Sequence, residues 1–283
     1  MDPLTDTKTP QPGPIGVFDS GYGGLTVLRD LLRRLPQYDY LYLGDNARAP
    51  YGSRSFRLVY EFTLQAVEEL FARGCPLVIL ACNTASAKAL RSIQQRDLPA
   101  GPDPARRVLG VIRPTVEELP RVTRNGHIGL LGTPGTVASR SYEMELRKFH
   151  PSFTLTARAC PMWVPLVENR EADGPGADYF VRKYLDELMA ADPEIDTIVL
   201  GCTHYPLLID KIRRYAPTGV TLLSQGPVVA ASLEDYLRRH PEMETRLSRG
   251  GTSTYLSTED AGRFASMASL FLGHEVTASG ITL

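Results

Sequence analysis

Leu77-Val78-Ile79-Leu80-Ala81-Cys82-Asn83-Thr84-Ala85-Ser86 is the stretch that decides the fold. Four large apolar side chains in succession suit a strand buried on both faces, as in a parallel sheet. A thiol, an amide and a hydroxyl follow at once, and a helix is expected from Ala85 to Gln95. In an open α/β sheet, ligands bind beyond the carboxyl ends of the strands. The pattern therefore predicts Cys82 at a cleft rather than in a core. Thr197-Ile198-Val199-Leu200-Gly201-Cys202-Thr203-His204-Tyr205-Pro206 repeats it: an apolar strand, a small residue, a cysteine, polar side chains. Two such strand ends predict a duplicated architecture with one thiol from each half.

Upstream, Ile15 to Phe18 is expected to be a strand, Asp19 to Gly24 a Gly-rich turn, and Leu25 to Leu35 a helix stopped by Pro36. Tyr38 to Leu43 is the next strand, followed by a loop through Gly52 and an amphipathic helix from about Ser55 to Ala72. Further strands are expected at Val108 to Ile112 and His127 to Leu131, the latter followed by the turn Gly132-Thr133-Pro134-Gly135-Thr136 and a helix. Strand–turn followed by strand–cysteine thus occurs at 15–24 and 77–84, and again at 128–136 and 197–204. The expected fold is α/β: two similar three-layer domains with mainly parallel sheets, pseudo-twofold related, with the site in the cleft between them. Expected boundaries are a disordered lead-in over 1–14, a discontinuous first domain of 15–112 plus 220–283, and a second domain of 113–219. In the tail, a strand at Val220 to Leu223, a helix at Pro227 to Arg239 and a strand–helix–strand within Thr254 to Val276 are expected, the last completing the first sheet.

A formal net charge of −1 over 283 residues leaves no electrostatic footprint for nucleic acid or an anionic membrane. No apolar run approaches the ~20 residues that span a bilayer. The first 14 residues lack the basic start and apolar core of a signal peptide. Four cysteines, at 75, 82, 160 and 202, are too sparse for a disulfide framework and do not cluster as zinc ligands. A reducing cytoplasm is the expected compartment. The turn at 21–24 lacks the spacing of a dinucleotide fingerprint, so no NAD is expected. Cys75 and Cys160 read as packing residues; His127, His150, His240 and His274 read as surface.

Two thiols on opposite walls of a cleft can hold a carbon acid between them. One removes the proton and the other delivers a proton to the far face, which inverts a stereocentre. Each thiol needs a neighbour to handle its proton. His204 stands two residues after Cys202, and Asp19 follows the first strand, at the same sheet edge as Cys82. Blander readings exist: a buried cysteine is often a filler, Asp19 suits a helix cap, His204 a structural histidine, and Glu168 a solvated carboxylate. Ser20, Asn83, Thr84 and Thr203, with N–H groups of the Gly-rich turns and of Tyr51-Gly52, suit the carboxylates of a small polar substrate.

Phe18-Asp19-Ser20-Gly21-Tyr22-Gly23-Gly24-Leu25-Thr26-Val27 resembles the opening signature of the glutamate racemases. Asp45 with Pro50-Tyr51-Gly52 resembles that family's next loop. Ala81 to Ser86 and Gly201 to Leu207 resemble its two catalytic cysteine motifs, and Gly132 to Thr136 and Cys160 to Glu168 also match. The resemblance runs from about Ile15 to Ser232. It implies cofactor-independent interconversion of L- and D-glutamate, with no metal, pyridoxal phosphate or nucleotide, and supply of D-glutamate for bacterial peptidoglycan. It further implies Cys82 and Cys202 as acid/base thiols, Asp19 and His204 as their assistants, and Glu168 behind His204. Substrate would be held by Asp19, Ser20, Pro50, Tyr51, Gly52, Asn83, Thr84, Thr133, Thr136, Thr203 and His204. A homodimer is implied, and some longer members are activated by a cell-wall precursor. Relatives on the same scaffold act on aspartate, hydantoins or a malonate, and a catalytically silent amino-acid-binding regulator is the alternative outside enzymes. One departure stands out: Ser224-Gln225-Gly226 occupies a place where an Asp is expected after the strand, outside the catalytic motifs.

Overall fold

The computed structural model describes residues 11–283 and turns the apolar run at 77–80 into a central strand with helices on either side. The first unit runs β1 (Ile15–Asp19), α1 (Leu25–Arg34), β2 (Tyr40–Gly44), α2 (Phe56–Ala72), β3 (Leu77–Leu80), α3 (Asn83–Lys88) and β4 (Arg107–Gly110); α4 (Ile112–Val122) follows and packs with the core of the second unit. The second runs β5 (His127–Gly132), α5 (Pro134–Ser139), α6 (Ser141–Phe149), β6 (Thr154–Ala159), α7 (Trp163–Glu168), α8 (Pro175–Ala191), β7 (Thr197–Gly201), α9 (Ile209–Tyr215) and β8 (Thr221–Leu223). The chain ends with α10 (Gln225–Arg239), β9 (Ser253–Ser257), α11 (Ala261–Leu272) and β10 (Ser279–Gly280).

Both sheets are parallel throughout, in the orders β10-β9-β2-β1-β3-β4 and β6-β5-β7-β8. The duplication is visible in these orders. In each unit the first strand is central, the second lies on one side of it and the third on the other. That reversal is the topological switch point, where a crevice opens beyond the carboxyl ends. Cys82 follows β3 and Cys202 follows β7, so each thiol stands beside the crevice of its own sheet. Every residue of β1, β2, β3 and β7 is buried, which explains their unbroken apolar runs. The core joins the units: Leu25, Leu28 and Leu31 of α1 share one cluster with Leu131, Leu200 and Tyr205.

Several expectations change. Thr221–Leu223 pairs with β7, not with the first sheet, so the second unit extends past residue 219. Its anchor is the Thr221 N–H, which donates to the Asp196 carbonyl at 2.8 Å. The first sheet gains β9 beside β2, and its last strand lies at Ser279–Gly280, beyond Val276. The helix after Cys82 is broken: α3 ends at Lys88, and a short turn and a π-helical segment carry the chain to Asp97. Most of the expected lead-in, residues 1–10, lies outside the described residues. Gly13 is pinned between its N–H donating to the Arg246 carbonyl (2.9 Å) and its carbonyl accepting from the Ser248 N–H (2.8 Å). Among the described residues no helix is long and apolar enough to cross a membrane.

Candidate active site

Gly23 shows how the two units meet. A Cβ there would lie 2.2 Å from Thr203 Oγ1 and 2.5 Å from His204 Nδ1. Only a residue without a side chain lets the turn after β1 press against the strand end that carries Cys202. Thr26 secures the contact, donating from Oγ1 to the Thr203 carbonyl at 2.9 Å.

Asp19 closes β1 and is buried. Its Oδ1 accepts from the Gly21 N–H at 2.9 Å, and its Oδ2 accepts from the Thr203 hydroxyl at 3.4 Å. Burial raises its pKa above the usual carboxylate value, against the opposing pull of His204. Cys82 caps α3, its Sγ accepting from the Ala85 N–H at 3.4 Å with Ser20 Oγ also 3.4 Å away. Burial and the neighbouring Asp19 charge push this thiol up to about 12. Cys82 therefore rests protonated at neutral pH.

Cys202 has different company. Its Sγ lies 3.9 Å from His204 Nδ1, and His204 Nε2 lies 3.0 Å from Glu168 Oε1. Burial pulls the imidazole's pKa down, but the bonds to Cys202 and Glu168 outweigh it and hold the ring at about 10. A histidine in this state donates from both nitrogens, one to sulfur and one to carboxylate. Glu168 ends α7, whose Trp163 is fully buried and packs edge-on to Tyr205.

The loop after β2 is tied down by the buried Asp45, which accepts from the Tyr51 hydroxyl, from Arg48 Nε at 2.6 Å and from the Thr258 hydroxyl at 2.9 Å. Gly52 then reaches the second unit, its carbonyl accepting from the Gly135 N–H at 2.7 Å. A hydroxyl cluster sits beside this joint: Thr84 Oγ1 lies 3.0 Å from Thr133 Oγ1, itself 3.0 Å from Thr136 Oγ1.

Between the units lies a cavity of about 150 Å³. The first unit lines it with Ser20, Pro50, Tyr51, Gly52, Cys82, Asn83 and Thr84; the second with Thr133, Glu168, Cys202, Thr203 and His204. This is well under the ~300–1,000 Å³ of sites for drug-sized ligands, and suits a small amino acid. Asp19 and Thr136 stand behind the wall, touching lining residues. Cys160, read as packing, is buried in the core and also faces the cavity. Val164 and Pro165, which the sequence did not single out, add apolar wall. They lie inside the stretch 160–168, so the motif was the available signal.

The family model described as Asp/Glu/Hydantoin racemase matches residues 15–233. A glutamate racemase from Ruegeria sp. (strain TM1040) is 43% identical over 273 residues, covering 93% of this chain and 98% of that one. Among solved structures, a glutamate racemase isoform from Bacillus anthracis superposes with a TM-score of 0.86 at 34% identity, covering 96% of this chain and 98% of the other. A glutamate racemase from Francisella tularensis, solved in complex with D-glutamate, superposes with a TM-score of 0.83 at 28% identity over the same shares.

Proposed function

The chain belongs to the Asp/Glu/Hydantoin racemase family, and we propose that it interconverts L- and D-glutamate with Cys82 and Cys202 as the two proton-transfer groups. It is an amino-acid racemase by kinship with glutamate racemases along nearly its whole length. The mechanism is our reading. The observation that carries it is that both thiols line one small cavity with ionisable groups beside them: the Asp19 charge acts on Cys82, and His204, backed by Glu168, stands beside Cys202.

In the proposed reaction a thiolate takes the Cα proton, the Cα–H bond breaks, and the electron pair stays on Cα and its carboxylate. The opposite thiol gives its proton to the other face, and its sulfur takes the negative charge. No atom is gained or lost, so the reaction needs no co-reactant. Cys82, which rests protonated, is the proton donor in one direction, and Cys202 stands on the opposite side of the cavity as its counterpart. The His204 imidazolium faces the Cys202 sulfur, and the reverse direction requires a proton to leave Cys82, for which the charged neighbour is Asp19. The N–H and hydroxyl groups of Ser20, Asn83, Thr84, Thr203 and the Tyr51-Gly52 turn hold the substrate's carboxylates. The D-glutamate formed would supply peptidoglycan synthesis.

The test is direct. Purified protein with no added cofactor should carry either enantiomer of glutamate to a racemic mixture, followed by circular dichroism. In D₂O, deuterium should enter at Cα as inversion proceeds. Inversion only after pyridoxal phosphate is added would overturn the two-thiol reading. Faster turnover of aspartate than glutamate would move the substrate assignment within the family.

A further inference from the structure

Gln225 opens α10, directly after β8, and has no part in the chemistry above. Its side chain is buried, with polar atoms bonded on both sides. Oε1 accepts from Asn83 Nδ2 at 2.5 Å, while Nε2 donates to the Tyr142 hydroxyl at 2.8 Å and to Thr115 Oγ1 at 2.9 Å. Tyr142 in turn donates its one hydrogen to Asn83 Oδ1 at 2.7 Å. The bonds close a ring, Asn83 to Gln225 to Tyr142 and back, with every donor pointing the same way round. Thr115 donates its own hydrogen to the Val111 carbonyl at 2.7 Å, so toward Gln225 it only accepts.

This ring has one sense. If the Asn83 amide turned over, its carbonyl would face the Gln225 carbonyl oxygen at 2.5 Å, acceptor against acceptor. If Gln225 turned over to compensate, Thr115 would have to abandon Val111. Asn83, Thr115, Tyr142 and Gln225 are all buried, so water does not repair a broken link. Asn83 Nδ2 carries two hydrogens. One goes to Gln225; the other has no protein acceptor among the described residues, and Asn83 lines the cavity.

The seat of Gln225 is rigid. A Cβ on Gly226 would fall 2.0 Å from Asp30 Oδ2 and 3.2 Å from the Thr26 carbonyl, so the first turn of α10 is pressed onto α1. The ring also joins the units, since Asn83 belongs to α3 of the first and Tyr142 to α6 of the second.

We propose that Gln225 is a positioning residue: through this ring it holds Asn83 with its second N–H aimed into the cavity, as a donor to a substrate carboxylate. The proposal rests on the racemase reading for the identity of that substrate. An interaction made equally in ground and transition state shows in KM rather than kcat.

Three variants test it. Gln225→Met keeps the shape and removes the bonds; Tyr142→Phe removes only the hydroxyl. Gln225→Glu replaces the Nε2 donor by a second acceptor, which draws the Tyr142 hydrogen away from Asn83 Oδ1 and opens the ring. Each should raise KM for both enantiomers by about tenfold or more, as losing an aligned bond to a charged group implies, with kcat within about threefold. Folded variants with a lowered Tm and wild-type KM would reduce the ring to a packing feature and overturn the proposal. Should a Gln225 variant fail to fold, Tyr142→Phe carries the test alone. A wild type that does not racemise glutamate overturns the racemase reading instead. Calorimetric Kd for D-glutamate then reads the ring separately: about tenfold weaker binding in Tyr142→Phe supports it, and equal or absent binding overturns it.

Discussion

At the scale of single residues, the two thiols keep different company, and the surroundings of Cys82 are testable. Cys82 is held up at about 12 by burial first and by Asp19 second. Asp19→Asn removes the second cause. Alkylation of Cys82 by iodoacetamide across a pH series should then show a lower apparent pKa, while turnover falls because the proton route is lost. An unchanged alkylation profile would mean that Asp19 does not act on that sulfur. Replacing either thiol, Cys82→Ala or Cys202→Ala, should lower racemisation by about 10²–10⁴-fold, the usual weight of a proton-transfer group, with the fold intact by circular dichroism. His204 adds a stability signature. Its folded pKa of about 10 lies above the ordinary 6.5. The native state therefore holds a proton that the unfolded chain releases over that window. The stabilisation is full below about pH 6.5, declines as pH rises, and is gone above about 10. Glu168→Gln removes one partner, so its urea midpoint should fall less steeply between those pH values. Parallel curves for wild type and variant would remove Glu168 from the ring's support.

At the scale of elements, legibility follows burial. β1, β3 and β7 are buried on both faces, and a continuous apolar run followed by a polar motif marked each of them. β6 escaped notice because it is a sheet-edge strand with no buried residue, Thr154–Ala159, and carries no such run. α8 is long, yet its buried positions (Ala177, Val181, Tyr184, Leu185, Leu188) are interleaved with polar residues and one is a tyrosine, which dulls the periodicity. β8 was placed in the wrong unit because three residues, Thr221–Leu223, cannot announce which sheet they join; that is settled by Thr197 and Asp196, far away in sequence. Asp19, Cys82, Cys202 and His204 were readable because each lies at a strand's carboxyl end or in the turn that follows; Glu168, at the end of α7, was readable only through the stretch 160–168. Gln225 could be noticed only as an oddity after β8, since its partners come from α3, α4 and α6. The turn after β1 gives the sharpest prediction at this scale. Gly23→Ala drives a methyl toward Thr203 and His204, which overpacks a buried contact and should cost about 1–3 kcal/mol. Activity should fall further than stability alone explains, because the displaced atoms belong to the Cys202 strand end. A Gly23→Ala enzyme with full turnover would show that this contact is slack.

At the scale of the whole molecule, two similar units share one small cavity. Among the bonds that bridge them are the Gly135 N–H to the Gly52 carbonyl at 2.7 Å, Thr84 to Thr133 at 3.0 Å, and Thr26 to the Thr203 carbonyl at 2.9 Å. The first two stand beside the Tyr51-Gly52 wall and are bonds between neutral groups, each worth about 0.5–1.5 kcal/mol net. Bonds that weak are the easiest of the contacts between the units to open, whereas the apolar cluster shared around α1 is extensive. Gly135 is the place to disturb closure without touching a thiol. A Cβ there would lie 2.7 Å from the Gly52 carbonyl and 2.9 Å from Lys88 Nζ. The lysine end can swing aside; the backbone carbonyl cannot do so without moving the wall. Gly135→Ala should therefore hold these walls apart, raise KM for both enantiomers, and lower the thermal midpoint of the ligand-free protein by only about 2–4 °C. Hydrogen exchange supplies the independent readout. Adding D-glutamate to the wild type should slow exchange at Cys82 to Ala85 and at Cys202 to Tyr205 together, because one ligand touches both strand ends; in Gly135→Ala that joint protection should weaken. Protection confined to one strand end in the wild type would mean that substrate rests on a single unit, and the closing of the cleft would then have no role in bringing the second sulfur to the carbon.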